Sequence, residues 1–153
     1  AITLGTMDGA NVEIYEQVGE DNIFIFGATV DEINNMKRYH TYNPGTIFEK
    51  NPQIRDVCNC LVDGDLPRYG KRKYSDIYQS LLFGEFGQPD QYFVLYDLPS
   101  YIEVYDKVYD SYVNHHDEWV KMAVVNTAKS GFFSSDRTIA EYNEKIWKLK
   151  TVK

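Results

Sequence analysis

The sequence predicts a mostly α-helical chain with a short two-stranded parallel β element at its N-terminus. Two short apolar runs, Ile2-Thr-Leu4 and Ile23-Phe-Ile-Phe26, are separated by a stretch of helix length. Beyond residue 40, apolar residues recur at three- and four-residue spacing, the period of a helix with one covered face. Asn-Pro and Gly positions punctuate that portion at turn-like intervals. The chain therefore divides into a β-α-β-α segment over residues 1–40 and a helical portion over 41–153.

Taken in order, residues 1–4 form the first expected strand. Asp8 is placed to cap a helix over residues 11–18, which Gly19 ends. Residues 23–26 are continuously apolar, as a strand covered on both faces should be, and Gly27 ends them. A helix carrying Ile33 and Met36 begins at Asp31. This β-α-β order implies parallel strands joined by a right-handed crossover. Asn43-Pro44-Gly45 and Asn51-Pro52 each mark a turn that opens a helix, the latter with Pro in the first position. Residues 61–73 hold two Gly, one Pro and a run of basic residues, so a solvated, mobile loop is expected. A helix over 74–83 follows, ended by Gly84. Over 98–113, Leu98, Tyr101, Ile102, Tyr105, Val108, Tyr109 and Tyr112 line one face opposite Glu103, Asp106, Lys107 and Asp110. Another helix runs from 117 to 129 and stops at Gly131. The last begins near 134–138, with Thr138 and Glu141 at capping-box spacing and Ile139, Tyr142, Ile146 and Leu149 facing inward.

The 153 residues suffice for one core, and 43% hydrophobic with 25% charged residues is a globular balance. A net charge of -7 argues against a general nucleic-acid or anionic-membrane binder, whose surfaces need an excess of Lys and Arg. A neutral ligand such as a sugar polymer is compatible with it. Cys58 and Cys60 point about 200° apart on a helix, so they cannot close a disulfide there. A reduced, cytoplasmic chain is expected, without a signal peptide, membrane span or N-x-S/T sequon. The chain opens on Ala1 in a β-prone run, which suggests an element entered partway. Two short strands do not stand alone as a sheet in water, so these need neighbours from a larger one.

Several small patterns have ordinary explanations. Asp63-Gly-Asp65 has the D-x-D spacing of a metal-binding pair but lies in a polar loop. The adjacent His115 and His116 diverge on a helix and cannot share a metal. Arg68, Lys71, Arg72 and Lys73 read as a solvated cluster rather than a phosphate grip. The stripe of Tyr101, Tyr105, Tyr109 and Tyr112 reads as core or interdomain contact rather than a sugar-stacking platform. No metal site is expected.

Two longer motifs are specific. Gly5-Thr-Met-Asp-Gly-Ala-Asn-Val-Glu13 lies between the two apolar runs, and Ser130-Gly-Phe-Phe-Ser-Ser-Asp-Arg-Thr-Ile139 precedes Tyr142 and Ile146-Trp147. Both resemble the glycogen/starch (α-glucan) phosphorylase family, and in the family's order. The resemblance spans nearly the whole chain and is weakest over residues 61–93. It implies an α/β fold by parentage: the glycosyltransferase type B arrangement, of which this chain would be the C-terminal part of the C-terminal Rossmann-like domain. It implies phosphorolysis of terminal α-1,4 bonds of glycogen, starch or maltodextrin by phosphate, yielding glucose 1-phosphate, in a full-length homodimer that uses pyridoxal phosphate. The family's cofactor lysine would lie upstream of Ala1, so no catalytic or cofactor-binding residue is carried over to this chain. Alone it is expected to be inactive and to bind no cofactor. Asp8, Asn11 and Glu13 are left as candidate residues supporting the site from behind. The alternatives are another type B glycosyltransferase that uses a sugar nucleotide, and a non-enzymatic helical interaction module. Unsatisfied strand edges and helix faces lead us to expect the isolated chain to self-associate through its N-terminal strand region.

Overall fold

Both expected strands form in the computed structural model, which describes residues 2–63, 71–84 and 87–150, but each is only two residues long, and the first runs one residue past the apolar run into Gly5. Strand β1 is Leu4–Gly5 and β2 is Phe24–Ile25. The Phe24 amide donates to the Thr3 carbonyl at 2.9 Å and the Phe26 amide to the Gly5 carbonyl at 3.1 Å. Equal two-residue steps in the same direction make the pair parallel. Helix α1, Ala10–Val18, is the crossover between them.

The N-cap of α1 is Gly9, not Asp8. Gly9 sits at φ 48° and ψ -132°, which a residue without Cβ reaches at little cost. Asp8 is then one position too early to reach the first free amides, and its carboxylate accepts the Thr6 hydroxyl at 3.1 Å instead. The other end is as expected, with the Gly19 amide closing onto the Tyr15 carbonyl at 2.8 Å. Helix α2, Val30–Tyr39, starts one residue before Asp31 because Thr29 and Glu32 form a reciprocal capping box.

Helices α3 (Pro44–Lys50) and α4 (Pro52–Cys60) follow the two Asn-Pro signals, with Asn43 and Asn51 as side-chain caps. On α4, Cys58 is buried and Cys60 exposed, and both are free thiols. Helix α5, Lys71–Leu82, begins inside the stretch expected to be loop; Asp65 and Arg68 lie outside the described residues, as do the side chains of Lys71, Arg72 and Lys73. Helix α6 extends over Val94–Asn114 and takes Pro99 within its second turn. Helix α7 is His116–Lys129, followed by a 3-10 turn over Ser130–Phe133.

Helix α8, Ser135–Tyr142, is capped by Ser134, whose hydroxyl accepts from the Arg137 amide at 3.3 Å. Thr138 is therefore interior, bonding back to the Ser134 carbonyl, and Glu141 pairs with Arg137 and Lys145 rather than closing a capping box. A π turn over Asn143–Trp147 ends the helix. The residues expected to face inward do not: Ile139, Tyr142, Ile146 and Leu149 are all exposed. Amphipathic spacing marks which face is apolar, and nothing among the described residues covers this one.

Two compact units result. One comprises Ala1–Leu4, Gly9–Phe24 and Val108–Lys153; the other comprises Gly5–Asp8 and Ile25–Lys107. In the first, α7 packs on α1 and on the turn over Glu20–Asn22, and the Asn126 side-chain amide donates to the Asn22 carbonyl at 2.7 Å. Val18 and Ile23 are its buried apolar residues among those described. The second unit has the deeper core. Ile54, Cys58 and Leu95 are each 1% exposed, with Ile47, Phe48, Tyr78, Leu81, Leu82 and Leu98 packed around them.

Candidate functional site

The parallel strands carry the chain to two neighbouring loops in the second unit: residues 5–8 after β1, and the turn at 26–29 after β2. Carboxyl ends of parallel strands are where open α/β sheets place their ligands. Here the first turns of α6 close against the loops. The Ala28 amide donates to Asp97 Oδ1 at 2.7 Å and the Gly27 amide to the Ser100 hydroxyl at 3.1 Å. Asp97 and Ser100 are one helical turn apart, so two consecutive amides meet two side chains on one helix face.

Gly27 is required by this approach. It stands at φ 81°, and a Cβ there would lie 2.7 Å from the Asp97 carboxyl carbon. Burial pushes the Asp97 carboxyl above its ordinary range; the Ala28 amide pulls it down, while Asp90, Asp8 and Glu32 add to the upward push.

Asp90 organises the other wall. It is 3% exposed and its carboxylate accepts three bonds: the Val94 and Leu95 amides at 2.8 Å each, and the Tyr42 hydroxyl. It thus satisfies free amides at the start of α6 from a position upstream of the usual cap. Burial, then the bond to Asp90 and its charge, raise the Tyr42 phenol far above its ordinary value. The same carboxylate, after burial itself, helps hold the Cys58 thiol up.

The candidate residues from the sequence do not converge. Asp8 is exposed beside Thr6 in the second unit. Asn11, half-buried, and Glu13, exposed, belong to the first turn of α1 in the other unit. Glu13 sits where the helix dipole favours a carboxylate. Among the described residues no group of three or more His, Cys, Asp or Glu is arranged to hold a metal ion. His115 and His116 are exposed, with His115 3.5 Å from Asp110. The tyrosine face of α6 is open over much of its length, with Tyr105, Tyr109 and Tyr112 about half exposed.

Sequence reading passed over Asp90, Asp97, Ser100 and Tyr42. The turn residues Gln88-Pro89-Asp90 ahead of a long apolar-periodic helix were the available signal for Asp90. Its partner Tyr42 lies 48 residues away and carries none.

The chain matches the carbohydrate phosphorylase family over residues 1–149. It is 40% identical over 152 residues to a glycogen phosphorylase of Haemophilus influenzae, which covers 99% of this chain and 18% of that protein. Identity is 42% over 151 residues to a glycogen phosphorylase of Chlamydia pneumoniae, with 99% and 18% covered. It is 37% over 150 residues to an α-glucan phosphorylase, H isozyme, of Vicia faba, with 97% and 17% covered. The chain thus spans less than a fifth of the length of these relatives.

Proposed function

The chain belongs to the carbohydrate phosphorylase family, and from that premise we propose that it is part of an α-1,4-glucan phosphorylase. The full-length protein would release glucose 1-phosphate from the end of glycogen, starch or maltodextrin by attack of phosphate. The observation that carries this reading is identity near 40% along almost the entire chain to proteins named glycogen phosphorylase. The Gly5–Glu13 run favours it over a type B glycosyltransferase that uses a sugar nucleotide. In the wider fold, residues 1–40 would be the remaining β-α-β-α of a Rossmann-like C-terminal domain and 41–153 its helical portion. The full-length protein would be a cytoplasmic homodimer. No described helix is long and apolar enough to cross a membrane.

The residues present do not fit pyridoxal phosphate. Lys37 is the described lysine at the strand-end cavity, yet its ammonium lies over the Phe93 ring at 5.5 Å, and Asp8 and Asp97 share that cavity. Two carboxylates against one ammonium repel a phosphate dianion. The cofactor of the full-length enzyme is accordingly assigned to residues outside this chain. Within it, Asp8 orders the 5–8 loop through Thr6, and the Asp97–Ser100 pair holds the neighbouring turn. Asn11 and Glu13 shape the start of the crossover helix. These residues position; none carries a chemical step.

The test uses a polypeptide extended to the length of the relatives. It should form glucose 1-phosphate from maltodextrin and inorganic phosphate, and should not use a sugar nucleotide as donor. The 153-residue chain alone should do neither. Transfer from a sugar nucleotide without phosphorolysis would refute the reading.

A further inference from the structure

Helix α6 carries an exposed apolar strip. Tyr105, Tyr109 and Val113 recur every four residues with Ile102 and Tyr112 beside them, and these five are between 37% and 60% exposed. At about 100° per residue they fall within an arc of about 100°. The helix is anchored from its other side, where Tyr101, Val104, Val108 and Ser111 are half-buried. Tyr105 rests on the Tyr101 ring at 6.0 Å between centroids, and Tyr112 on the Trp119 ring at 5.3 Å. The strip is therefore displayed on a packed helix rather than a loop, and it runs for about three turns, or ~16 Å. Single exposed apolar side chains are ordinary on a soluble protein, whereas a contiguous strip led by tyrosines marks a contact surface.

A second feature selects the partner. Asp106, Asp110 and Glu103, all exposed, occupy the next ~60° of the same helix. Among the described residues no Lys or Arg pairs with any of the three; Asp110 meets His115 at 3.5 Å and accepts from the Asn114 side-chain amide at 2.8 Å. Lys107 lies beyond them, away from the strip. An apolar strip with an uncompensated row of carboxylates along one edge complements a helix that has one apolar face bordered by Lys or Arg. Such a helix would cover the tyrosines while its cations meet the carboxylates at the rim. Phosphate-bearing partners, nucleic acid and anionic lipid alike, are repelled by the same row.

We propose that this face of α6 docks a basic amphipathic helix of another polypeptide. The inference goes beyond the phosphorylase reading and does not depend on it. The probe is a fluorescein-labelled peptide of Leu and Lys, patterned as an amphipathic helix of about five turns. It is titrated into the 153-residue chain and followed by fluorescence anisotropy, beside a counterpart with Glu in place of every Lys. Saturable binding of the basic peptide is expected, weakened at least about tenfold by Tyr105→Ala with Tyr109→Ala. Glu103→Gln with Asp106→Asn should weaken it at least about threefold and flatten its dependence on salt. Ile146→Lys with Leu149→Lys, which alters exposed apolar residues outside α6, should leave it unchanged. All the substituted side chains are exposed, so circular dichroism and the urea midpoint of the α6 variants should match the wild type. The polypeptide extended to the length of the relatives should bind the peptide as the 153-residue chain does. No saturable binding, equal binding of the Glu peptide, or equal binding by the tyrosine variant would overturn the proposal. Failure of the extended polypeptide to bind would assign the face to the rest of its own chain. A lower weight-average mass of the tyrosine variant in sedimentation equilibrium would assign it to a second copy, and either result overturns the proposal as well.

Discussion

Replacing Asp90 by Ala removes an acceptor from three donors at once. The Leu95 amide is in the core, on a residue 1% exposed, and its bond to Asp90 is 2.8 Å. Leaving a buried donor unsatisfied costs about 1–3 kcal/mol, and a hydrogen bond to a charged group contributes about 1.5–3 kcal/mol. Loss of the helix cap overlaps with the first of these at about 1 kcal/mol. Alanine also tolerates φ 46° less well than aspartate. Allowing for the overlap, Asp90→Ala should destabilise the chain by about 3–5 kcal/mol, a large part of the stability of an ordinary domain. Asp90→Asn keeps one oxygen acceptor and should lose about half as much. Urea denaturation with an unchanged slope measures both. A double-mutant cycle with Tyr42→Phe should return a coupling of at least about 1 kcal/mol. A loss below about 1 kcal/mol for Asp90→Ala would mean that water or other groups replace the carboxylate, and the account of this turn would be wrong.

Four further outcomes follow from the same contacts. The Tyr42 phenol is raised in the folded state, so its contribution is intact below the unfolded value of about pH 10 and is lost as pH rises beyond it; the wild type should lose stability above that pH more steeply than Tyr42→Phe. Cys60 should react with iodoacetamide in the native chain while Cys58, buried and with a raised thiol, reacts only after denaturation, as peptide mass mapping will record. Gly27→Ala should cost about 3 kcal/mol by forcing a side chain to φ 81° and displacing Asp97 from the Ala28 amide, measured again by urea. The exposed Ile146 and Leu149 should drive self-association, so Ile146→Lys with Leu149→Lys should lower the weight-average mass in sedimentation equilibrium.

The elements legible in the sequence were those fixed by neighbours in the chain. Asn43-Pro44 and Asn51-Pro52 specify α3 and α4, because an Asn side chain and a Pro ring act within one turn. Gly19 ends α1 and the Cys58–Cys60 spacing separates the thiols for equally local reasons. Asp8 misled because Gly9 next to it accepts a conformation that shifts the cap by one residue. The inward reading of Ile139, Tyr142, Ile146 and Leu149 failed because periodicity orients a face without supplying a neighbour for it. The candidate site was least legible. Asp90 finds Tyr42 48 residues upstream, and Asp97 meets Ala28 69 residues upstream. The phosphorylase motif at 5–13 located one of the loops, but its neighbours are set by packing.

The smaller-cored unit is assembled from both ends of the chain, and this bears on how it is made. The bond from Asn126 to Asn22 closes 104 residues of sequence. By loop-closure entropy alone, joining such ends costs about 4 kcal/mol before any contact is gained. During synthesis, residues 9–24 leave the ribosome long before α7 exists, and α1 must wait as a nine-residue helix too short to persist by itself. The segment from Ile25 to Lys107 has its core of Ile54, Cys58 and Leu95 complete by then and can fold first. Its folding draws the waiting ends together, shortening the effective loop for the strands and helices that come last.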